Sequence, residues 1–157
     1  MKRIALIFIT LILIFSFTSC INVTSTFKLS QDRSFVKLVE FYYVDEMLYT
    51  ESNVHCFLEE NTPVKILKDS KCDKLLDALC KTKFEKEVIL FPIPMDGGVD
   101  VGGYVVSVVY SDGGYDLVSA TGSYSYSIGK DGKERHKYDY SDYCGEAQWD
   151  DIVKPFL

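Results

Sequence analysis

The stretch "YSYSIGKDGKERHKY", Tyr124–Tyr138, contains the pattern from which the fold can be worked out. Tyrosine alternates with serine in its first half, and this period of two indicates a β-strand with one aromatic face. "GKDG" then supplies turn residues, and a second, charged strand follows. Two strands joined by a short turn predict an antiparallel hairpin.

The loop of this hairpin determines which residues face each other. If residues 130–132 form a three-residue loop that ends in a left-handed glycine, Tyr124 faces Tyr138. Ser125 then faces Lys137. A two-residue loop would mix aromatic and charged residues on each face. The three-residue loop separates them, so we predict this register.

Aromatic and β-branched segments upstream of the hairpin predict further strands, and a glycine-rich stretch, residues 95–103, predicts a loop. Turn residues separate most of these segments, which favours an antiparallel meander. The predicted strands are 35–44, 53–58, 64–67, 88–94, 104–110, 115–120, 124–128 and 133–140.

Two helices complete the predicted fold. "DSKCDKLLDALCKTKFEK", Asp69–Lys86, carries apolar residues at helical spacing, and Asp69 or Ser70 is expected to cap it. A short C-terminal helix is predicted to start at Ser141, with Pro155 limiting its length. The sequence therefore predicts an α+β fold. Its antiparallel β-meander sheet carries one central helix and a short C-terminal helix packed on one face.

The chain begins with the pattern of a secretory signal peptide. Lys2 and Arg3 form a positive start, and residues 4–17 are nearly all apolar. This run is shorter than the ~20 apolar residues of a membrane-spanning helix. A charged start, a short apolar run and small polar residues are typical of a signal peptide, which we assign to residues 1–19.

"FTSC", residues 17–20, resembles the lipobox of bacterial lipoproteins, in which a cysteine receives diacylglycerol and becomes the N terminus. Thr18 and Ser19 match its two small positions, and Phe17 stands where leucine is usual. The resemblance covers only the signal and Cys20, and it is to the small lipoproteins of bacterial cell envelopes. It implies an extracytoplasmic protein anchored to the membrane by acyl chains, such as palmitate, on Cys20. Plain secretion and an uncleaved anchor are the alternatives.

The rest of the chain suits one domain. Residues 20–34 are rich in serine and threonine and lack periodicity, so we expect the lipidated cysteine to be followed by a flexible tether. Residues 35–157 have the length of a single globular domain.

The chain without its signal peptide is acidic. It has 15 basic and 23 acidic residues, a formal charge of −8. Such a charge disfavours nucleic acid and anionic lipid as direct ligands, because both bind through lysine and arginine. We therefore expect two kinds of partner, the membrane through the N-terminal lipid and a protein or glycan ligand. The oligomeric state stays open.

Five cysteines are present, and lipid on Cys20 leaves Cys56, Cys72, Cys80 and Cys144 for two disulfides. Cys72 and Cys80 are ~12 Å apart on the predicted helix, too far for a disulfide, which needs roughly 4.4–6.8 Å. Cys144 should therefore pair with one of them and Cys56 with the other. A single disulfide, free thiols or a zinc site are the alternatives, although zinc ligands usually include a closely spaced cysteine pair.

Eight of the eleven tyrosines fall between residues 104 and 143. Tyrosine gives rigid, amphipathic contact area and is enriched at recognition surfaces. We interpret Tyr124, Tyr126, Tyr138 and Tyr140 as candidate ligand-binding residues, with an ordinary half-exposed sheet as the alternative.

His55 and His136 lie on predicted strands, and no local motif supplies a catalytic triad around them. We expect no catalytic residues, no metal and no cofactor. The leading hypothesis is a non-catalytic module that binds a protein or a glycan. An inhibitor of an extracellular or host hydrolase and an enzyme acting on envelope polymers are the alternatives.

The lipid prediction is tested by the intact mass of the protein extracted from membranes. We expect a mature chain that begins with a diacylglyceryl Cys20, because the small residues before it direct cleavage there. A Cys20→Ser variant should lack this mass. A mature chain that starts at another residue would contradict the assignment.

Overall fold

A six-stranded antiparallel sheet is the largest element of the computed structural model, which describes residues 21–49, 58, 60–88, 99–139 and 142–157. The strands are β1 Ile21–Thr26, β2 Val36–Tyr49, β3 Lys65–Leu67, β4 Lys83–Val88, β5 Val99–Tyr110, β6 Tyr115–Ser119, β7 Gly122–Ile128, β8 Glu134–Asp139 and β9 Asp142–Tyr143. The helices are α1 Ser70–Lys81 and α2 Glu146–Val153. The six-stranded sheet has the order β3-β2-β5-β6-β7-β8, and β1-β4-β9 form a second sheet. The predicted α+β class is confirmed.

One face of the large sheet packs against both helices. Alternate residues of β2 and β5 point to this face because side chains alternate along a strand. They meet the apolar stripe of α1 and the buried face of α2. The buried residues of this main core include Val39, Phe41, Val106, Val108, Leu75, Leu76, Leu79, Trp149 and Val153. Packing of both helices on one face agrees with the sequence prediction.

The opposite face of the sheet carries a second, smaller buried cluster. It consists of Tyr42, Val105, Tyr115, Leu117 and Tyr124. All five residues of β6 are buried as a result. The centre of the sheet therefore has apolar packing on both faces, which explains why "YVVSVVY" lacks strict alternation.

Residues 21–34 are part of the fold, so the prediction of a flexible tether is wrong. Ile21–Thr26 form β1 and pair with β4, and Phe27 is buried in the main core. The sequence does not predict β1, because its residues are mostly polar and the strand pairs with a segment far away in the chain. Directly after β1, Phe27 is buried in the main core and the partly buried Leu29 packs against it.

Helix α1 is shorter than predicted. It ends at Lys81, and Lys83–Val88 form β4 where the sequence predicted the last turn of the helix. Thr82 already has an extended backbone, and Phe84 is buried from a strand. Pairing with β1 on one side and β9 on the other supplies the backbone hydrogen bonds that the helix would have made. The side chain of Asp69 makes no capping hydrogen bond.

The other element boundaries agree only in part with those predicted from the sequence. β5 starts at Val99, inside the stretch predicted to be a loop. The C-terminal helix starts at Glu146 after the short β9, later than the predicted start. It gives way at Lys154 to a 3-10 turn that contains Pro155, as the proline predicts. Most of the predicted strand 53–58, residues 89–94 and Ser141 lie outside the described residues.

The register of the β7–β8 hairpin is as predicted. Tyr124 pairs with Tyr138 and Ser125 with Lys137. Gly132 has φ +74°, the left-handed conformation that closes the three-residue loop. Among the helices of the described residues, none is long and apolar enough to cross a membrane.

Phe27→Ala tests whether β1 belongs to the folded domain. We expect a loss of ~3–5 kcal/mol in the free energy of unfolding, because the substitution leaves a cavity in the main core. Urea unfolding can be followed by the fluorescence of Trp149, the single tryptophan, which is 2% exposed.

Phe35→Ala is the matched control, because Phe35 is 50% exposed. It should cost about 1 kcal/mol or less. Equal, small effects of the two substitutions would restore the tether interpretation.

Candidate functional site

The tyrosine-bearing face of the hairpin is largely interior. Tyr124 is fully buried, and its hydroxyl lies 2.7 Å from His136 Nδ1. Tyr126 is half-buried and stacks on Tyr115, with ring centroids 5.2 Å apart. The hydroxyl of Tyr126 donates to Glu134 Oε1 at 3.2 Å. These rings pack the second cluster more than they form an open surface.

Two of the candidate ligand-binding tyrosines, Tyr124 and Tyr126, therefore differ in how far they are buried. Tyr124 belongs to the core and is not available for a surface ligand, so its assignment as a contact residue is wrong. Tyr126 is only half-buried. Tyr138 is the cross-strand neighbour of Tyr124, and Tyr140 lies outside the described residues.

Glu134, His136 and Tyr124 form a chain of polar contacts across the hairpin. His136 Nε2 lies 3.6 Å from Glu134 Oε2, and Nδ1 faces the Tyr124 hydroxyl. A carboxylate, an imidazole and a hydroxyl in this order resemble an acid–base relay. Because Tyr124 is fully buried, this chain of contacts ends inside the protein. It therefore stabilises the hairpin. His55 lies outside the described residues.

The other face of the same hairpin forms part of a polar cleft of about 210 Å³, which we call the serine–lysine cleft. Strand β1 and the residues after it form the facing wall. The lining residues are Ser25, Thr26, Phe27, Lys28, Ser123, Ser125 and Lys137. The hairpin register explains why Ser125 and Lys137 line the cleft together, because they are paired and point to the same face.

The serine–lysine cleft is cationic. Its lining holds two lysines, four hydroxyl groups and no carboxylate. Among the described residues, neither Lys28 nor Lys137 forms an ion pair. Within this part of the chain, no carboxylate neutralises either ammonium group.

A buried carboxylate holds the wall of this cleft in place. Asp116 is 0% exposed, and its Oδ2 accepts hydrogen bonds from the Ser30 backbone N–H at 2.9 Å and from the Tyr110 hydroxyl. Burial raises the pKa of Tyr110, and the charge of Asp116 raises it further, so Tyr110 remains a donor. Asp116 thereby ties the segment after β1 to β5 and β6.

Further contacts extend this attachment along the chain. Gln31 Nε2 donates to both carboxylate oxygens of Asp112, at 3.1 and 2.9 Å. The Ser111 N–H donates to the Phe35 carbonyl at 2.8 Å. A Cβ on Gly114 would lie only 2.9 Å from the backbone oxygen of Tyr126, beside Gln31, so this close approach requires glycine. The segment that follows β1 is therefore held along its length.

A second cleft, which we call the turn cleft, has a volume of about 460 Å³ and lies at the loop end of the hairpin. Phe35 and Ile128 are 50% and 47% exposed there, which gives the cleft an apolar part. Arg135 Nη2 lies 3.6 Å from Asp131 Oδ1. The lining residues are Gln31, Phe35, Ser111, Asp112, Ser127, Ile128, Gly129, Lys130 and Arg135.

The cysteines do not form the predicted framework. Cys72, Cys80 and Cys144 are free thiols. Both predicted pairings joined Cys144 to a cysteine of α1, so both are wrong. Cys72 and Cys144 instead fill the main core as small apolar residues. Cys20 and Cys56 lie outside the described residues.

Both clefts offer non-covalent contacts through hydroxyl, ammonium and guanidinium groups and two apolar side chains. In the part of the chain that the structure describes, no group of three His, Cys, Asp or Glu residues could hold a metal ion. No protein family, curated protein or solved structure matches the chain.

Sequence reasoning missed Asp116 and the facing wall of the serine–lysine cleft. Asp116 was detectable in one respect, because a lone carboxylate in the apolar strand "YDLVSA" must find donors when buried. Its partner Ser30 lies 86 residues away, and nothing local points to it. Lys28 carried no signal at all.

Alkylation of the denatured protein without reductant tests the free thiols. We expect Cys72, Cys80 and Cys144 all to be modified by iodoacetamide. In the native protein the reaction should be slower, since burial raises the pKa of the Cys72 and Cys144 thiols and thiolate is the nucleophile.

A sample reduced before alkylation is the control and should show the same modification at these three residues. If any of them reacts only after reduction, that cysteine is in a disulfide, which would contradict the free thiols.

Proposed function

We propose that the chain is a non-catalytic binding module of the bacterial cell envelope, anchored by lipid on Cys20, with the β7–β8 hairpin as its recognition element. The observation that carries this proposal is that both clefts use this hairpin as a wall. Residues 123–137 of the hairpin contribute serine, lysine, arginine and isoleucine to them.

The position of the hairpin suits recognition. In the described residues β8 is an edge of the six-stranded sheet, and the residues from Lys133 to Lys137 are exposed apart from His136. An edge strand with charged side chains avoids pairing with other sheets while still presenting groups to a partner. The hydrogen bond between Tyr124 and His136 holds this edge from its buried face.

The anchor and the clefts would be close to each other. Because β1 starts at Ile21, the folded domain begins directly after Cys20, with no flexible segment between them. The chain from Cys20 to Lys28 spans at most ~26 Å when extended. A lipid on Cys20 would therefore hold the serine–lysine cleft near the membrane surface, where envelope polymers and their carriers are found.

Hydrogen exchange of the full chain in detergent tests the proposal. We expect envelope polysaccharide or an envelope protein fraction to slow exchange in peptides that cover residues 122–137, because ligand would cover the hairpin. Peptides of α1 serve as the internal control and should be unchanged.

Chemical turnover of the added polymer would contradict a non-catalytic module. Slowed exchange confined to regions outside the hairpin, or no change with any fraction, would contradict the hairpin as recognition element.

A further inference from the structure

We propose that the serine–lysine cleft binds an anionic sugar, a single unit that carries a carboxylate or a phosphate. This inference rests on the proposed function and names the ligand class for one of its clefts. Lys28 and Lys137 would hold the anionic group, and the hydroxyls of the lining would bond those of the sugar ring.

Charge is the first argument. The chain is strongly acidic, yet this cleft has two lysines and no carboxylate in its lining. An ammonium group attracts an anion best where no carboxylate competes for it. The cleft is thus a cationic spot in an acidic protein, which favours an anionic ligand and disfavours a cationic one.

The hydroxyl groups are the second argument. Ser25, Thr26, Ser123 and Ser125 each carry a group that donates and accepts. A sugar ring needs both functions, because each of its hydroxyls does the same, whereas a bare anion needs donors only. The mixture of hydroxyls and lysines therefore fits a sugar acid or sugar phosphate better than an inorganic ion.

Size and rigidity are the third argument. The volume of about 210 Å³ is below the ~300–1,000 Å³ of clefts for drug-sized ligands, so one sugar unit suits it. Phe27 is 7% exposed and closes the apolar side. The Ser30–Asp116 hydrogen bond holds one wall and the β7–β8 register holds the other, so binding would order few groups.

The turn cleft fits this ligand class less well. Its Arg135 already lies 3.6 Å from a carboxylate oxygen of Asp131. Asp112, a further carboxylate, is part of its lining. An anion would meet competition there, and the exposed Phe35 and Ile128 offer apolar contact instead.

Titration calorimetry of the full chain in detergent tests the inference with four probes: glucuronate, glucose 6-phosphate, glucose and inorganic phosphate. We expect the two anionic sugars to bind, and glucose and phosphate to bind at least about tenfold more weakly, since each lacks half of the contacts. Whichever anionic sugar binds more tightly identifies carboxylate or phosphate as the group that the lysines prefer.

Substitutions locate the binding. Lys28→Gln and Lys137→Gln should each weaken glucuronate binding by about tenfold, the loss of one charge-assisted hydrogen bond. Lys65→Gln is the matched control, because Lys65 is an exposed lysine on β3 at the opposite edge of the sheet. It should bind glucuronate like the unchanged protein.

Two results would overturn the inference. One is glucuronate binding that is unchanged in both cleft-lysine variants. The other is glucose or inorganic phosphate that binds as tightly as the anionic sugars.

Hydrogen exchange then separates the two proposals. If envelope polysaccharide still slows exchange in the hairpin of the Lys28→Gln, Lys137→Gln double variant, the recognition role of the hairpin stands and only the anionic-sugar site fails. If hairpin exchange is unaffected even in the unchanged chain, the recognition role of the hairpin fails, and the calorimetry alone decides the anionic-sugar site.

Discussion

The cross-strand register of the β7–β8 hairpin is the constraint on which the rest of the molecule depends. Side chains alternate along a strand, so a slip of one residue would move every side chain to the opposite face. The left-handed Gly132 closes a loop that pairs Ser125 with Lys137 and Tyr126 with His136. Aromatic rings therefore pack the second cluster, and serines with a lysine line the cleft.

The two faces of the hairpin support each other. The tyrosines and His136 hold one face rigidly against β6, which leaves the hydroxyls and Lys137 on the other face in a fixed position. On that second face, the buried Asp116 draws Ser30 towards β6 and so brings β1 alongside. The cleft exists only where these two independently held walls meet.

Local patterns in the sequence predict the parts of this fold whose partners are near in the chain. The hairpin register and the core of α1 are of this kind, because loop chemistry and helical spacing are local. β1 and the strand after Thr82 escape prediction, since their pairing joins segments about sixty residues apart and polar residues dominate both. Pairing of this kind overrides helix propensity in the stretch that follows α1.

The residues of the serine–lysine cleft likewise differ in how far the sequence predicts them. Ser125 and Lys137 follow from the register, whereas Lys28 joins them only through tertiary structure. The tyrosines illustrate a different difficulty, because a half-buried aromatic strand looks the same in sequence whether it faces a ligand or a second core. The four cysteines that remain beside Cys20 likewise suggested two disulfides, although Cys72, Cys80 and Cys144 are free thiols.

Cross-strand nuclear Overhauser effects in the β7–β8 hairpin are the sharpest test of its register, since they report which residues face each other. We predict effects between Ser125 and Lys137 and between Tyr126 and His136. Effects between Ser125 and His136 would reveal a two-residue loop. That register would place the aromatic and charged side chains together on both faces and would contradict the account.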